Sequence, residues 1–168
     1  MNDFKEVDVL SLKESNSFKL IGKDWMLITA GDEKNINTMT ASWGMLGVLW
    51  QKNVSCIFVR PQRYTFKFLG NTDYYSLCFF EDKYKKILSY CGTHSGKDVD
   101  KVSQTGLSAV YDKAPYFKEA KLVLICKKIY TDYIDPNGFE DTEIQRNYEN
   151  NDYHKVFVGE IVKCLERK

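Results

Sequence analysis

The sequence predicts a mainly β domain, a small antiparallel barrel with short helices in its connections. Three observations carry this. Six runs rich in β-branched and aromatic residues are each bounded by Gly, Pro or Asn-Asp clusters, as strands are. Aromatic residues make up 14% of the chain, whereas proline occurs only 3 times, a balance that suits sheets. The strands do not alternate with long helices, which disfavours a parallel doubly wound sheet. At 168 residues the chain, 1–168, reads as one domain, large enough to build a core without a disulfide or metal staple.

The first strand is expected over residues 25–30, closed by the turn pair Gly31-Asp32. The second spans 38–46, where Gly44 and Gly47 suggest a bulge or a close backbone approach to a ligand. The third covers 54–60 and stops at Pro61; the fourth covers 74–80. The fifth covers 122–130, with room to reach Ile134 before Asp135-Pro136-Asn137-Gly138 turns the chain. The sixth is 155–165. Short helices are expected at 65–69, capped by Tyr64 or Thr65, at 83–90 with Gly92 just past its end, and at 98–104 before Gly106.

Composition excludes several functions. The formal net charge is +1, from 24 Lys+Arg against 23 Asp+Glu, so no strongly basic face is available for nucleic acid or an acidic membrane. No apolar run reaches the roughly 18–20 residues of a membrane span. The charged start, MNDFKEVDVL, lacks a signal peptide's apolar core, so a cytoplasmic location is expected. The 5 cysteines are scattered with no C-x-x-C pair, and the 2 histidines are isolated, so neither a disulfide nor a metal site is expected. Phosphate-loop, dinucleotide-fingerprint, zinc-protease and nucleophile-elbow motifs are all missing. If the protein is an enzyme, a cofactor must carry the hard step.

Three segments have the composition of a site for an anion and a ring. In Asn37-Thr38-Met39-Thr40-Ala41-Ser42-Trp43-Gly44, alternation puts three hydroxyls, Thr38, Thr40 and Ser42, on one strand face, opposite Met39, Ala41 and Trp43. A row of hydroxyls grips a phosphate or polyol, or is simply a solvated face. Arg60-Pro61-Gln62-Arg63-Tyr64-Thr65 sets two arginines at a helix start, where free N–H groups and planar guanidinium forks suit phosphate; solvent-facing arginines on a capped helix are the alternative. Cys91-Gly92-Thr93-His94-Ser95-Gly96-Lys97-Asp98, followed by Val99-Asp100-Lys101, is either an anion nest or a plain helix–loop–helix connection.

Taken together, GKDWMLITAG, NTMTASWGMLGVLW, VRPQRYTFKFL, CGTHSGKDVDKV and DYHKVFVGEIV resemble the flavin reductase-like, FMN-binding split-barrel family, which includes NAD(P)H:flavin oxidoreductases and flavoredoxin-type electron carriers. The resemblance runs from about Phe18 to the end. It implies a six-stranded antiparallel Greek-key split barrel and a homodimer with FMN near the subunit interface. It also implies that Thr38, Thr40, Ala41, Ser42 and Trp43 line the ring and ribityl chain. Arg60, Pro61, Arg63, Tyr64 and Thr65 would border the cofactor, and Cys91, Gly92, Ser95, Gly96, Lys97 and Asp98 would close over it. His154 matches a histidine that in reductases of this family faces the nicotinamide, which makes it the candidate catalytic residue. The 81–101 and 131–153 segments depart most from a generic reductase.

Three functions follow as alternatives: an FMN-dependent oxidoreductase passing electrons from NAD(P)H to free flavin or a small acceptor, a non-enzymatic FMN carrier between protein partners, or a cofactor-free binding module on the same barrel.

Overall fold

The computed structural model describes residues 3–12 and 16–168. After strand β1 (Phe4–Val7), a short helix α1 (Ser17–Lys19) runs into a wider turn, Leu20–Asp24. The strands β2 (Met26–Gly31), β3 (Ile36–Ala41), β4 (Gly44–Leu49) and β5 (Lys52–Val59) follow, then α2 (Thr65–Asn71) and β6 (Tyr74–Phe79). Helices α3 (Lys85–Thr93) and α4 (Lys101–Thr105) lead to a hairpin, β7 (Ala109–Asp112) and β8 (Ala114–Phe117). Two long strands, β9 (Leu122–Tyr133) and β10 (Lys155–Arg167), close the chain. One antiparallel sheet runs β3-β2-β6-β9-β10-β5-β4, with β1 added to β10; β7 and β8 pair separately. Among the described residues no helix is long and apolar enough to cross a membrane.

The sheet has two cores. On β2, β6 and β9 alternate side chains go opposite ways: Met26, Ile28, Tyr75, Leu77, Phe79, Leu122 and Leu124 fill the barrel interior. Leu27, Cys78, Val123 and Ile125 pack outward with Leu88 of α3, Leu107 and Phe117 of β8. Strands covered on both faces are apolar at most positions, which is why β2, β6 and residues 122–126 of β9 read as nearly continuous runs. All five cysteines are free, and all but Cys56 are buried.

The mainly β antiparallel architecture stands, with more strands than the six expected. The expected 38–46 strand is two: the ladder with β2 ends at Ala41, and β4 then pairs with β5 through Gly44–Leu49. That second ladder has an unbroken register, so Gly44 and Gly47 mark no bulge. The β4–β5 turn is Trp50-Gln51, both with positive φ (51° and 59°). A two-residue hairpin needs left-handed backbone there, normally signalled by Asn-Gly, and this pair gives no such signal. Gly92 lies inside α3 rather than beyond it, and the helix ends where His94 turns extended. Helix α4 starts later than expected because Asp100 caps it, accepting the Ser103 N–H at 3.1 Å. No side chain caps α2: Tyr64 precedes it without a capping bond, and the Thr65 hydroxyl accepts from Asn37 instead.

One glycine in the barrel is held by close approach. The register of β10 against β9 slips at Val158/Gly159. The gap admits the Tyr75 hydroxyl, which lies 2.7 Å from Ser55 Oγ. A Cβ on Gly159 would stand 2.4 Å from Tyr75 Oη and 2.9 Å from Cys126 Cβ. Gly159→Ala should therefore destabilise the fold by about 1–3 kcal/mol, the usual cost of overpacking. A urea midpoint equal to wild type would contradict this.

Candidate functional site

The site opens where β3 leaves the sheet. A cleft of about 290 Å³ is walled by Met39, Ala41 and Trp43 on one side and by Arg60, Arg63 and His154 on the other. The three expected hydroxyls do not form an open row. Thr38 is buried, and its Oγ1 is bonded to Thr29 Oγ1 at 2.9 Å and to the Ile28 carbonyl at 3.2 Å. Thr40 lines the cleft but donates to the Leu88 carbonyl of α3. Ser42 is the exposed hydroxyl of the three.

Beside this cleft lies a second cavity of about 180 Å³, which shares Met39 and Arg63 with it and is also lined by Thr65, Ser95, Gly96 and Lys101. Two cations meet here. Arg63 Nη2 donates to the Gly92 carbonyl at 3.0 Å. Lys101 is 5% exposed, and its Nζ donates to the carbonyls of Thr38 (2.9 Å) and Cys91 (2.7 Å). Cys91 and Gly92 thus serve the site through their carbonyls, positioning the two cations. Among the described residues, neither cation has a carboxylate within ion-pairing distance. Burial pushes Lys101 down to about 8, helped by repulsion from Arg63, and burial also lowers Arg63. Buried positive charge without a partner is costly, and an anion relieves it. The Ser95 and Gly96 N–H groups have no acceptor among the described residues, so they add free donors at the rim.

Arg60 also lines the cleft, but its guanidinium is already engaged. Its guanidinium binds Asp152 and the Asn147 carbonyl (2.7 Å) and lies over the Tyr148 ring at 5.2 Å. Gln62 joins it on Asp152 at 2.5 Å, and the pairing holds the Asp152 carboxyl below its ordinary range. Arg60 is therefore the pin of the 134–154 connection. Pro61 is exposed at the start of the turn, and Lys97 and Asp98 lie beyond the second cavity, facing Lys34 across a third. Tyr64 packs edge-on against Phe68 at 5.4 Å.

His154 is buried at the entry to β10, 8% exposed. Its Nδ1 is 2.9 Å from Tyr148 Oη, and its ring centre is 5.3 Å from that of Trp43. Desolvation, and then the nearby Arg60 charge, hold it down to about 4, so the imidazole is neutral at neutral pH. With Nδ1 engaged by Tyr148, Nε2 remains for a partner in the cleft.

The structure thus brings Thr40, Ala41, Ser42, Trp43, Arg60, Arg63, Tyr64, Thr65, Ser95, Gly96 and His154 around two adjoining cavities. It keeps the side chains of Thr38 and Cys91 out of them. Sequence reasoning missed Tyr148, and it quoted Asn37 and Lys101 only as parts of candidate segments, with no role for either side chain. Lys101 is the least expected, since the first turn of an exposed helix seldom buries an ammonium. Its signal was local: an Asp100 cap followed by a lysine, directly behind a Ser-Gly loop.

Residues 18–168 match the flavin reductase like domain among known protein families. No curated protein matches the sequence. Among solved structures, the chain is similar to the flavoredoxin of Methanosarcina acetivorans, with a TM-score of 0.68 and 23% identity over 86% of this chain and 69% of that one. It is similar to the FMN-binding domain of a flavin reductases-like enzyme from Shewanella baltica, with a TM-score of 0.70 and 16% identity over 99% and 78%. It also resembles a Streptomyces globisporus NADH:FAD oxidoreductase in complex with NAD and FAD fragments, with a TM-score of 0.63 and 19% identity over 86% and 78%. These likenesses make the curled antiparallel sheet a split barrel.

Proposed function

The chain belongs to the flavin reductase-like family, and on that premise we propose that it is an FMN-binding oxidoreductase that draws electrons from NAD(P)H and passes them to free flavin or a small acceptor. The observation that carries the reading is the uncompensated pair Arg63 and Lys101 beside a cleft walled by Trp43 and His154. A ring with a phosphate tail satisfies both halves: the ring takes the apolar cleft, and the phosphate takes the two cations, the Thr65 and Ser95 hydroxyls and the free N–H groups.

Bound FMN would supply the hydride chemistry. The chain's own residues bind and orient. Arg63 and Lys101 fix the phosphate, and through it the register of the tail along β3. Met39 and Ala41 offer a flat apolar strand face, and Trp43 excludes water from one edge. His154, uncharged and held by Tyr148, presents one ring nitrogen to the cleft as a fixed hydrogen-bonding group. Preorganised groups of this kind stabilise charge without reorganising.

An absorption spectrum of FMN-reconstituted protein, before and after anaerobic NAD(P)H, tests the reading. Retained flavin that bleaches rapidly is the expected result. Retained flavin that does not bleach indicates an electron carrier serving protein partners. Protein that keeps no flavin after desalting sinks the proposal.

The same reading makes the protein a homodimer. Strand β4 ends the sheet with one edge unpaired. It exposes Met45 (55%) and Val48 (73%), next to Trp43 (49%) at the cleft. An apolar hollow of about 430 Å³ under Trp43, Met45 and Phe18 shares Ser42 and Trp43 with the ring cleft. Long apolar edges are ordinarily covered. Light scattering should give twice the 19.6 kDa chain mass, and Val48→Lys should shift it toward one chain. A wild-type mass of one chain at micromolar concentration would refute dimerisation.

A further inference from the structure

The wall of the cleft continues into the protein as a file of rings that neither flavin binding nor hydride transfer requires. Trp43 lines the cleft, and its ring centre is 5.3 Å from that of His154. His154 meets Tyr148 edge-on at 5.5 Å, and Tyr148 is stacked on Tyr153 at 4.8 Å. Tyr148 and Tyr153 both come from the 134–154 connection, and Phe139 of the same segment packs on both, at 5.8 and 6.2 Å. Trp43 and Tyr148 are the oxidisable rings nearest the cleft in this file, with His154 between them.

Tyr148 and His154 form a buried donor–acceptor pair. They are 6% and 8% exposed. Tyr148 Oη lies 2.9 Å from His154 Nδ1, and among the described residues the phenol has no other hydrogen-bond partner. A buried phenol donates where it can, so Nδ1 accepts and the imidazole proton sits on Nε2. Burial pushes the phenol up, so it is protonated at neutral pH. Desolvation and then the Arg60 charge hold His154 down to about 4, so its Nδ1 lone pair is free.

Arg60 adds a further constraint. Its guanidinium carbon lies 5.2 Å from the centre of the Tyr148 ring. A cation so placed opposes positive charge on the ring, so an electron leaves Tyr148 most easily together with the phenol proton. The one acceptor in reach of that proton is His154.

We propose that Tyr148 is a redox-active tyrosine that refills Trp43 after a photoexcited flavin has oxidised it, passing its phenol proton to His154 in the same step. The proposal rests on the flavin reading above. An oxidised flavin that has absorbed blue light is a strong one-electron oxidant. Trp43 gives it one electron and recovers one from Tyr148. The Tyr148 O–H bond breaks and an N–H bond forms at His154 Nδ1, leaving a neutral tyrosyl radical and an imidazolium. The electron held by the flavin then returns to Tyr148, and the proton returns from His154, whose weak basicity beside Arg60 favours giving it back. The cycle consumes nothing. Its use is protective, because Met39 and Trp43 wall the cleft and both are open to oxidative damage.

Flash photolysis of FMN-loaded protein, anaerobic and without NAD(P)H, tests this by transient absorption. In wild type an indole radical should give way to a neutral tyrosyl radical. Tyr148→Phe keeps the stacked ring, and it should lose the tyrosyl signal and leave the indole radical standing. His154→Ala should lose the tyrosyl signal too, and added imidazole should restore it, which a merely structural histidine does not explain. After sustained blue light in air, peptide mass spectrometry should find Trp43 and Met39 oxidised sooner in Tyr148→Phe than in wild type. Bound FMN that yields no tyrosyl radical in wild type overturns the proposal and leaves the flavin reading in place. So does a tyrosyl signal unchanged in Tyr148→Phe, a His154→Ala signal that imidazole fails to restore, or equal photodamage in Tyr148→Phe and wild type. Protein that retains no FMN overturns both.

Discussion

Lys101→Met should lose FMN while keeping riboflavin. Methionine fills the same slot without the charge, and one hydrogen bond to a charged group is worth about 1.5–3 kcal/mol, or about 10–100-fold in affinity. Riboflavin has no phosphate, so its affinity should change by less than about twofold. The variant also strips a donor from the Thr38 and Cys91 carbonyls, and some loss of melting temperature is expected. An equal loss for both flavins would mean that this damage, and not the phosphate contact, is the whole effect. The pH dependence gives a second readout. Lys101 is held near 8, below its ordinary 10.5, and the flavin phosphate is doubly ionised well below that. As pH rises past about 8 the ammonium is lost, so wild-type FMN affinity should fall while riboflavin affinity stays level and Lys101→Met shows no trend. The folding sign is opposite. Between about 8 and 10.5 the unfolded chain binds more protons than the native one, so Lys101's contribution to stability rises with pH there.

His154→Ala should slow flavin bleaching by NADH about 10²-fold, the typical loss when a positioned group acts in the transition state. Flavin binding should persist. The competing role is structural, because the imidazole also holds Tyr148, itself buried and stacked on Tyr153 at 4.8 Å. Tyr148→Phe separates the two. It breaks the same hydrogen bond and leaves the imidazole in the cleft, so it should cost only a few-fold. Equal losses in both variants would make His154 a positioning residue for the 134–154 connection. Stopped-flow rates for His154→Ala within about twofold of wild type would remove it from the site altogether. Because His154 is held near 4, it stays uncharged above about pH 5, and wild-type bleaching should show no inflection from it between pH 5 and 8.

The legible parts of the fold were the strands whose side chains pack on both faces. Strands β2 and β6 and residues 122–126 of β9 announce themselves as apolar runs because neither face meets water there. The sequence reads β3 and β4 as one strand because Gly44 suggests at most a bulge within 38–46, and not a change of partner. The chain turns there for the sake of the β5 ladder, a long-range pairing invisible locally. The β7–β8 hairpin turns through Asp112-Lys113-Ala114, with Lys113 at φ 59°, again without a turn signature. Hydroxyl spacing singled out a strand that does line two cavities, but whether a hydroxyl is free depends on its neighbours: Thr29 takes Thr38, and Leu88 takes Thr40. Arg60 and Arg63 look equivalent in the sequence. Asp152, some ninety residues away, separates them by claiming Arg60 for the connection and leaving Arg63 to the cavity.

The doubly covered middle of the sheet also sets the order in which the molecule breathes. Amides of β2, β6 and residues 122–126 of β9 should exchange with solvent only when both cores come apart, and so report the global unfolding reaction. Strand β3, which carries the whole length of the cleft, pairs on one side only, and α3 and α4 shield its other flank through a few contacts such as the Thr40–Leu88 and Lys101–Thr38 bonds. With fewer strand partners, that flank should open at lower free energy than the doubly covered strands. A ligand of the cleft could therefore enter and leave a chain whose centre stays folded, and an exchange map with and without FMN should darken along β3, α3 and α4.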